Sequence, residues 1–283
     1  MDVLTATNHS RDRVGQRYVY PVLSRRSGGL SVGINLNPNN ACNWRCMYCQ
    51  VPNLVRGSSP PIDCEQLERE LIHLLGEILS GAFYKRHSLP DDRRAIRDIA
   101  LSGNGEPTSC QAFESVLDIV GRVCTQLTLP DTLKKIIITN GSLVSRPVVQ
   151  RGLARWSALG GEIWFKLDSA TTEGVRRINQ AHRSLAKTLH HLEICTHRCP
   201  TWIQTCFFAW DGQPPDEREQ QAYLDALRTI RQWDRSVKGV LLYGLARPSM
   251  QPEALRLSAL PLAWLAAMGE QIQSIGLQVQ IHV

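Results

Sequence analysis

The stretch that decides the fold is Cys42-Asn43-Trp44-Arg45-Cys46-Met47-Tyr48-Cys49, which places three thiols in one short loop with the spacing C-x3-C-x2-C. Thiolates are soft ligands for iron, and a compact run of them is how a chain binds an iron–sulfur cluster. A 4Fe-4S cluster takes four protein thiolates, but the next cysteine, Cys64, lies beyond Pro60-Pro61. Three thiolates leave one iron with an open position, where another molecule can bind and react. The loop therefore predicts a cluster with one reactive corner.

Zinc and disulfide bonds are the other common uses of closely spaced cysteines. A structural zinc site takes four ligands, commonly as two separated pairs, and no second pair with that spacing follows the loop. Nine cysteines is an odd count, and residues 1–17 lack the apolar core of an export signal. The sequence therefore indicates a reducing cytoplasm, where disulfides are rare, and it favours iron over zinc.

The composition is that of a globular protein with a mild basic excess. Of the 283 residues, 43% are hydrophobic and 20% are charged, and no apolar run approaches the length of a membrane span. The formal net charge is +6, which permits nucleic acid as a partner without requiring it. We expect no association with a membrane.

Strand-like and helix-like stretches alternate along the chain. Apolar runs predict strands at 31–36, 96–101, 135–139, 162–167, 201–210, 239–245 and 279–283. The spacing of apolar residues predicts helices at 64–84, 113–120, 147–159, 172–195, 215–233 and 262–275. Strict alternation predicts an α/β fold in which a parallel sheet, curled as a βα barrel, has its helices outside. We expect one domain over residues 31–283.

Residues 1–30 read as an irregular lead-in that packs on the barrel. The segment is basic, with arginines at positions 11, 13, 17, 25 and 26. These side chains can be a solvated surface or can contact phosphates, and the sequence leaves both uses open.

Polar residues follow successive predicted strands. Gly105-Glu106-Pro107 comes after the second strand, Asn140 after the third and Asp168-Ser169 after the fourth, while the cysteine loop follows the first. In a βα barrel the working residues lie at the carboxyl ends of the strands. We therefore expect these four segments to meet at one end of the barrel.

These motifs resemble those of the radical S-adenosylmethionine (radical SAM) enzymes. The resemblance implies that Cys42, Cys46 and Cys49 bind a 4Fe-4S cluster whose open iron holds the amino and carboxylate groups of S-adenosylmethionine. Electron transfer from that cluster breaks a carbon–sulfur bond and releases a 5′-deoxyadenosyl radical. Gly105-Glu106-Pro107-Thr108 looks like the motif that receives the methionine amino group. Where the family pattern has two adjacent glycines, Asn104 precedes Gly105.

Three further segments match cofactor-holding positions of the same family. Thr139-Asn140-Gly141 and Lys166-Leu167-Asp168-Ser169 look like the segments that hold the carboxylate and the ribose. Tyr48, the aromatic residue before the third thiol, matches the residue near the adenine. A cationic amine pairs with a carboxylate, and hydroxyls need acceptors, so these residue types suit the ligand. The resemblance thus implies cofactor contacts from Tyr48, Gly105, Glu106, Asn140, Lys166, Asp168 and Ser169.

Most of the chain resembles the branch of this family that contains wyosine-type tRNA-modifying enzymes and related uncharacterised Fe-S oxidoreductases. The similar segments are Tyr20–Arg26, Gly33–Pro38, Ile178–His182 and Trp202–Thr205. The resemblance implies a partial (β/α)6 TIM-like barrel, open at one side so that a large substrate can reach the radical. It also implies an external electron donor of the flavodoxin or ferredoxin type, and it makes RNA a candidate substrate.

The resulting hypothesis is a cytoplasmic enzyme that cleaves S-adenosylmethionine at a 4Fe-4S cluster and abstracts hydrogen from an unidentified substrate. Within the enzymes, a peptide-modifying or glycyl-radical-activating role is the alternative. From other classes, a zinc-bearing nucleic-acid-binding module and an electron-carrying cluster protein stay open. The sequence does not reveal the substrate, the product, the reductant, the oligomeric state, or whether S-adenosylmethionine is cofactor or co-substrate.

Several residues outside these motifs are weaker candidates. Cys110 can donate hydrogen to a substrate radical or can simply pack in the core. Arg247 can bind an anionic substrate or the carboxylate of the cofactor. The thiols of Cys195, Cys199 and Cys206 can hold a second cluster or can be small hydrophobes. A basic stretch after the fourth strand can face RNA or solvent. It consists of Arg176, Arg177, His182, Arg183, Lys187, His190 and His191.

Overall fold

The computed structural model describes residues 15–24, 28–87, 89, 91 and 94–282. Its centre is an eight-stranded sheet whose strands lie side by side in the order in which they occur in the sequence. In chain order these strands are β1 (Val19–Ser24), β2 (Gly29–Ile34), β3 (Ile96–Leu101), β4 (Lys134–Thr139), β5 (Gly161–Lys166), β6 (Thr201–Phe207), β7 (Val240–Gly244) and β8 (Val279–His282). From β2 to β8 every neighbouring pair is parallel, whereas β1 is antiparallel to β2.

Helices connect the parallel strands, as parallel pairing requires. They are α1 (Cys64–Leu79), α2 (Ala82–Arg86), α3 (Phe113–Gln126), α4 (Pro147–Ala158), α5 (Thr172–Gly174), α6 (Leu185–Arg198), α7 (Glu217–Arg231) and α8 (Leu262–Ser274). The architecture is six βα units from β2 to α8, closed by β8. The sheet curls into a half-barrel with β1 and β8 at its edges, and the predicted partial (β/α)6 barrel is confirmed.

Alternation along each strand separates the core from the barrel interior. Successive side chains of a strand point to opposite faces of the sheet. In β5, Ile163 and Phe165 belong to the main core between sheet and helices, whereas Trp164 belongs to a smaller cluster inside the barrel. Lys166, the last residue of β5, follows the inward alternation and reaches the open end of the barrel. Both faces are thus largely apolar, which explains the continuous apolar runs in the sequence.

The expectation that residues 1–30 are irregular is wrong at residues 19–24 and 29–30, which lie in strands. Residues 19–24 form the edge strand β1, and its start is fixed by Glu70 of α1. The buried Glu70 carboxylate accepts hydrogen bonds from the backbone N–H groups of Arg17, Tyr18 and Val19, at 3.0, 2.8 and 3.2 Å. Pro21 lies within β1, where it is tolerated because β1 is an edge strand. The predictions for Arg11, Arg13, Arg25 and Arg26 lie outside the described residues.

Two predicted helices are interrupted. The helix predicted at 64–84 ends at Leu79, and Gly81 has a positive φ of 78° before α2 begins. The segment predicted as helical over 172–195 passes from α5 into a π-helix, Val175–Asn179, and then breaks at Gln180, whose φ is 49°. A residue in the left-handed region ends a helix, and apolar spacing does not reveal it.

None of the helices in the described residues combines the length and the apolar character that crossing a membrane demands.

Candidate functional site

A large cavity of about 1270 Å³ occupies the barrel interior and opens at the carboxyl ends of the strands. The segments that follow β2, β3, β4 and β5 meet there, as the alternation of elements predicts. The sequence-predicted site residues that line the cavity are Cys42, Cys46, Tyr48, Cys49, Gly105, Glu106, Asn140, Lys166, Cys206 and Arg247.

The three thiols of the cysteine loop are half-buried and share this cavity. Burial raises the pKa of Cys42 to about 11 and that of Cys46 to about 12. These two thiols are therefore neutral at pH 7, so an iron ion that bound them would have to displace their protons. Two donors are already directed at the sulfur atoms: the Trp44 N–H lies 3.5 Å from Cys42 Sγ, and Asn179 Nδ2 lies 3.3 Å from Cys46 Sγ. Such donors stabilise negative charge on ligating sulfur.

The donor set fits a cluster. In the described parts of the chain, no three His, Cys, Asp or Glu side chains converge on one metal-ion position. A 4Fe-4S cluster binds each thiolate through a different iron, so its ligands do not have to converge on one point. Three soft thiolates that line one cavity would fit such a cluster, which would be held by Cys42, Cys46 and Cys49.

The cysteine loop is held on one side by the π-helix. The Arg45 N–H donates to the Asn179 carbonyl at 3.1 Å, and the Met47 N–H donates to the Ile178 carbonyl at 2.8 Å. These two backbone hydrogen bonds fix the residues on either side of Cys46. The loop conformation is therefore set by a segment more than a hundred positions later in the chain.

On its other side the loop is held by the segment after β7. The Ser249 hydroxyl donates to the Met47 carbonyl at 2.6 Å, and the Met250 N–H donates to the Cys49 carbonyl at 2.9 Å. Arg45 forms a two-pronged ion pair with Glu253, at 2.9 and 2.6 Å. A two-pronged arginine–carboxylate pair fixes orientation as well as distance. The loop thus sits rigidly between two later segments.

Glu106 is the most completely bonded carboxylate at the mouth of the barrel, with an exposed fraction of 3%. Its Oε1 accepts from the Thr108 N–H, the Thr108 hydroxyl and the Thr139 hydroxyl, at 3.1, 2.6 and 2.6 Å. Its Oε2 accepts from the Asn140 N–H at 2.7 Å. Oε1 is thus fully occupied, whereas Oε2 accepts a single hydrogen bond from the described residues and can accept a second from a cationic donor in the cavity that Glu106 lines.

Gly105 is where the β3 end and the cysteine loop approach most closely. A Cβ at this position would overlap the Ala41 carbonyl oxygen and the Asn37 side-chain amide. Asn37 itself donates from Nδ2 to that carbonyl at 2.9 Å. Glycine is thus required here by the close approach of two backbones.

We expect Gly105→Ala to destabilise the protein by about 1–3 kcal/mol, because the overlapping group is backbone and must move. The displaced backbone begins at Ala41, next to the first thiol, so iron content should fall as well. Thermal unfolding and iron analysis measure the two effects. The control is Gly76→Ala in α1, where a Cβ meets nothing within 4 Å and helix propensity should raise stability by up to about 1 kcal/mol. Equal stability of the two variants would contradict the prediction.

Asp168 is the hub of a buried polar network behind the cavity wall. Its Oδ2 accepts from the Tyr48 hydroxyl at 2.6 Å and from Asn179 Nδ2 at 2.7 Å, and its Oδ1 accepts from the Cys206 N–H at 3.1 Å. Lys166 Nζ lies 3.6 Å from Oδ2 and also donates to the Tyr48 hydroxyl. Asp168 does not line the cavity, so it orients the residues that do.

Burial and this carboxylate determine the protonation of its partners. Burial raises the pKa of Tyr48 well above its ordinary value, and Asp168 adds to the rise. Burial alone would lower the pKa of Lys166, but Asp168 together with the thiols of Cys46, Cys206 and Cys49 outweighs that effect and raises it. Tyr48 therefore remains a phenol and Lys166 remains an ammonium at neutral pH. The cavity wall carries a fixed positive charge beside an aromatic ring.

Ser169 and Cys110 do not reach the cavity. The Ser169 hydroxyl accepts from the Thr171 N–H at 3.1 Å and stabilises the turn into α5. Cys110 is buried within the main core, where burial raises the pKa of its thiol. Arg247 does line the cavity, at the end of β7. The cofactor-binding and catalytic roles of all these residues stay predictions.

The three cysteines considered for a second cluster lie in different parts of the fold. Cys195 and Cys199 belong to the main core outside the sheet, and the Cys199 thiol donates to the Gly161 carbonyl. Cys206 faces the barrel interior on β6 and lines the cavity. The strand alternation puts the sheet between the two groups, so the structure does not bring these thiols together.

Sequence reasoning missed the residues that support the site from behind. Asn179 contacts both Cys46 and Asp168, and Asn43 accepts from Asn140 Nδ2 at 2.8 Å. Asn179 lies in a segment that carried the family resemblance, and Asn43 lies between two of the thiols. These two positions in the sequence were the features from which the roles of Asn179 and Asn43 could have been predicted. Glu253, which pairs with Arg45, had none.

Comparison with curated proteins finds uncharacterised relatives. A UPF0026 protein of Helicobacter pylori is 30% identical over 163 residues, which are 57% of this chain and 46% of the relative. A UPF0026 protein of Methanocaldococcus jannaschii is 28% identical over 165 residues, 58% of this chain and 44% of the relative. The chain thus spans less than half of the length of these two relatives. No family model matches the sequence.

Comparison with solved structures identifies the fold. A radical SAM methyltransferase from Sphaerobacter thermophilus superposes with a TM-score of 0.59 and 15% identity, covering 90% of this chain and 66% of that one. A structure of TYW1 with a lysine-pyruvate adduct bound superposes with a TM-score of 0.55 and 14% identity, covering 96% and 79% of the two chains. At these identities the likeness concerns the fold alone.

Proposed function

We propose that this chain, which has the fold of the radical SAM enzymes, is itself a radical SAM enzyme that binds a 4Fe-4S cluster and S-adenosylmethionine. Cys42, Cys46 and Cys49 ligate the cluster. The observation that carries the proposal is that all three thiols line one cavity together with Glu106 and Lys166. When bound, the cluster and S-adenosylmethionine supply reductive cleavage of a carbon–sulfur bond and a 5′-deoxyadenosyl radical.

Glu106 receives the amino group of S-adenosylmethionine. Its remaining acceptor position on Oε2 suits an ammonium, and the four donors already bonded to it hold the carboxylate in place. A hydrogen bond between an ammonium and a carboxylate is about twice as strong as a neutral one. Asn140 is held beside Glu106 because its backbone N–H donates a hydrogen bond to the same Oε2.

Lys166 and Tyr48 bind the anionic and aromatic parts of the same ligand. The Lys166 ammonium offers a charge to a carboxylate at the cavity surface, and its exposed fraction of 18% leaves it within reach. The Tyr48 ring packs at 5.7 Å from the Phe208 ring, which holds it at the wall where an adenine can lie. Asp168 keeps both side chains in these orientations.

The substrate enters from the open side of the half-barrel. A cavity of about 1270 Å³ exceeds the usual volume of a single small-molecule site, roughly 300–1,000 Å³. Room therefore remains for part of a substrate beside the cofactor. The net charge of +6 and the basic stretch around Arg183 support RNA as the substrate. The electron comes from an external flavodoxin or ferredoxin, and the enzyme works in the cytoplasm.

Anaerobic reconstitution with iron and sulfide tests the function. We expect about four irons per chain and a brown protein, because a cubane cluster contains four irons. Dithionite and S-adenosylmethionine should then yield 5′-deoxyadenosine. A fully loaded cluster that yields none would overturn the proposal, and a colourless protein with zinc and no sulfide would favour a zinc module. Comparing the RNA nucleosides of a deletion strain with those of its parent would identify an RNA product.

Glu106→Gln should weaken S-adenosylmethionine binding by about 10- to 150-fold, because a hydrogen bond to a charged group contributes about 1.5–3 kcal/mol. The new amide must keep its oxygen towards the three donors at Oε1, so its NH2 group would face the Asn140 N–H and the ligand ammonium. The dissociation constant, measured from the perturbed cluster spectrum, checks this. Glu114→Gln on α3, which removes an exposed pair with Arg151, is the control and should bind normally. Affinity within twofold of wild type for Glu106→Gln would refute the assigned role.

A further inference from the structure

A second, smaller cavity of about 360 Å³ lies on the outer side of the cysteine loop. We refer to it as the basic cavity. Three cations line it, Arg56, Arg183 and Lys187, and in the described residues no carboxylate does. Its remaining lining residues are Asn43, Trp44, Ser142, Gln180, Ala181 and His182.

Arg183 is the buried cation of this cavity, with an exposed fraction of 8%. Its Nη1 donates to the Asn140 carbonyl at 3.2 Å and its Nη2 to the Gly141 carbonyl at 3.3 Å. Its Nε, also buried, has no hydrogen-bond partner within the part of the chain that the structure describes. Burial lowers the pKa of Arg183 to about 10, so the guanidinium is still charged at neutral pH. A buried guanidinium with an unpaired donor is costly, and an anion in the cavity that Arg183 lines would offset part of that cost.

The other polar groups are arranged for the same kind of ligand. Arg56 is fixed because its guanidinium donates to the Asn43 carbonyl at 2.6 Å and to the Gln180 carbonyl. The Ser142 hydroxyl oxygen accepts from Asn43 Nδ2 at 2.7 Å, which leaves its own proton to donate. Lys187, on the first turn of α6, is exposed and adds a mobile charge. Two fixed guanidinium groups, a hydroxyl and an ammonium form a set of donors that suits a phosphate.

We propose that the basic cavity binds a phosphate group of the substrate. This inference rests on the proposed function, because it assigns a substrate class to the same site. Trp44 lines both cavities, so the two cavities are neighbours on either side of the cysteine loop. A phosphate held by Arg56, Arg183 and Lys187 therefore lies next to the loop. Arg183 also contacts the Asn140 and Gly141 carbonyls, so it links the phosphate to the loop that adjoins Glu106. The substrate is therefore anchored outside the barrel while its reacting part enters.

Lys187 provides the sharpest test, because its side chain is exposed at the cavity edge. The variants are Lys187→Gln and Lys187→Glu. The matched controls are Lys85→Gln and Lys85→Glu on α2, because Lys85 is an exposed lysine that does not line the cavity. Each reconstituted full-length protein is titrated with inorganic phosphate by calorimetry. Each is also titrated with a fluorescein-labelled single-stranded oligoribonucleotide by anisotropy, over a series of KCl concentrations.

We expect Lys187→Gln to weaken binding by about fivefold, as losing one exposed ion pair does, and Lys187→Glu to weaken it further. For the oligoribonucleotide, the slope of log affinity against log salt should fall by about 0.7, the value for one phosphate contact on a single strand. If the Lys187 variants weaken binding of both probes, the natural ligand is a phosphodiester of RNA. If they weaken binding of inorganic phosphate alone, the ligand is a small phosphate ester. Effects on the oligoribonucleotide alone would also support the site, with a polynucleotide as its source.

Wild-type protein that binds neither probe, or Lys187 variants that behave like the Lys85 variants with both, would overturn the proposal. No reductant and no S-adenosylmethionine are present in these titrations. A negative result in these titrations therefore does not contradict the proposed radical chemistry. Conversely, absence of 5′-deoxyadenosine in the reconstitution assay does not contradict phosphate binding. Circular dichroism melts of all four variants check that they are folded.

Discussion

Replacing Cys46 by alanine should reduce the iron content after anaerobic reconstitution from about four per chain to less than about one, and should abolish 5′-deoxyadenosine formation. Cys46 is the central thiol of the loop, and its sulfur already accepts a hydrogen bond from Asn179. With two thiolates left, the cluster has too few anchors to stay bound. Iron and sulfide analysis, the visible spectrum and product chromatography measure the result.

The control for this loss is Cys64→Ser. Cys64 is the cysteine nearest in sequence to the loop, but it is the first residue of α1 and does not line the cavity. We expect this variant to keep the cluster and the product. If Cys64→Ser lost the cluster, or if Cys46→Ala kept four irons and full activity, the assignment of ligands would be wrong.

Asp168→Ala should destabilise the protein by about 3–5 kcal/mol, because it leaves the Lys166 ammonium without its carboxylate in a buried setting. The Asp168 side chain is fully buried, and the Tyr48 hydroxyl, Asn179 Nδ2 and the Cys206 N–H would all lose their acceptor. For a chain of this size the melting temperature should fall by roughly 6–15 °C. Thermal denaturation at fixed protein concentration checks this.

Two variants separate the buried charge from other causes. Asp168→Asn preserves the volume but not the charge, so it should lose most of the same stability. Asp225→Ala on α7 removes an exposed carboxylate that pairs with Arg228, and its effect should stay within about 1 kcal/mol. A melting temperature of Asp168→Ala within 2 °C of wild type (less than about 1 kcal/mol) would contradict the prediction.

Much of the site could be read from the sequence because parallel strands bring their carboxyl ends to the same edge. Glu106, Asn140 and Lys166 were predicted at strand ends and do line one cavity. Knowing the end of a strand does not give the direction of a side chain beyond it. Asp168 and Ser169 follow the same strand, yet Asp168 turns behind Tyr48 and Ser169 turns into the start of α5.

The parts that could not be predicted depend on contacts between distant positions. Glu70 defines the start of β1 from a helix 51 to 53 positions away, and Glu253 fixes Arg45 from 208 positions away. Neither acid lies in a motif, and local patterns carry no information about such partners. For the same reason the sequence did not reveal that Arg56 and Arg183 line one cavity.

The two-sided clamp on the cysteine loop has a consequence for how the protein matures. The thiols leave the ribosome before Asn179, Ser249 and Glu253, which hold their loop and lie 133 to 208 positions after the residues that they bond. During that interval the thiols belong to an unfinished chain and are open to oxygen and to competing metals. We therefore expect the loop to reach its final conformation only after Ser249 and Glu253 have been synthesised and have folded onto it, so that a cluster held by the finished loop would be loaded late.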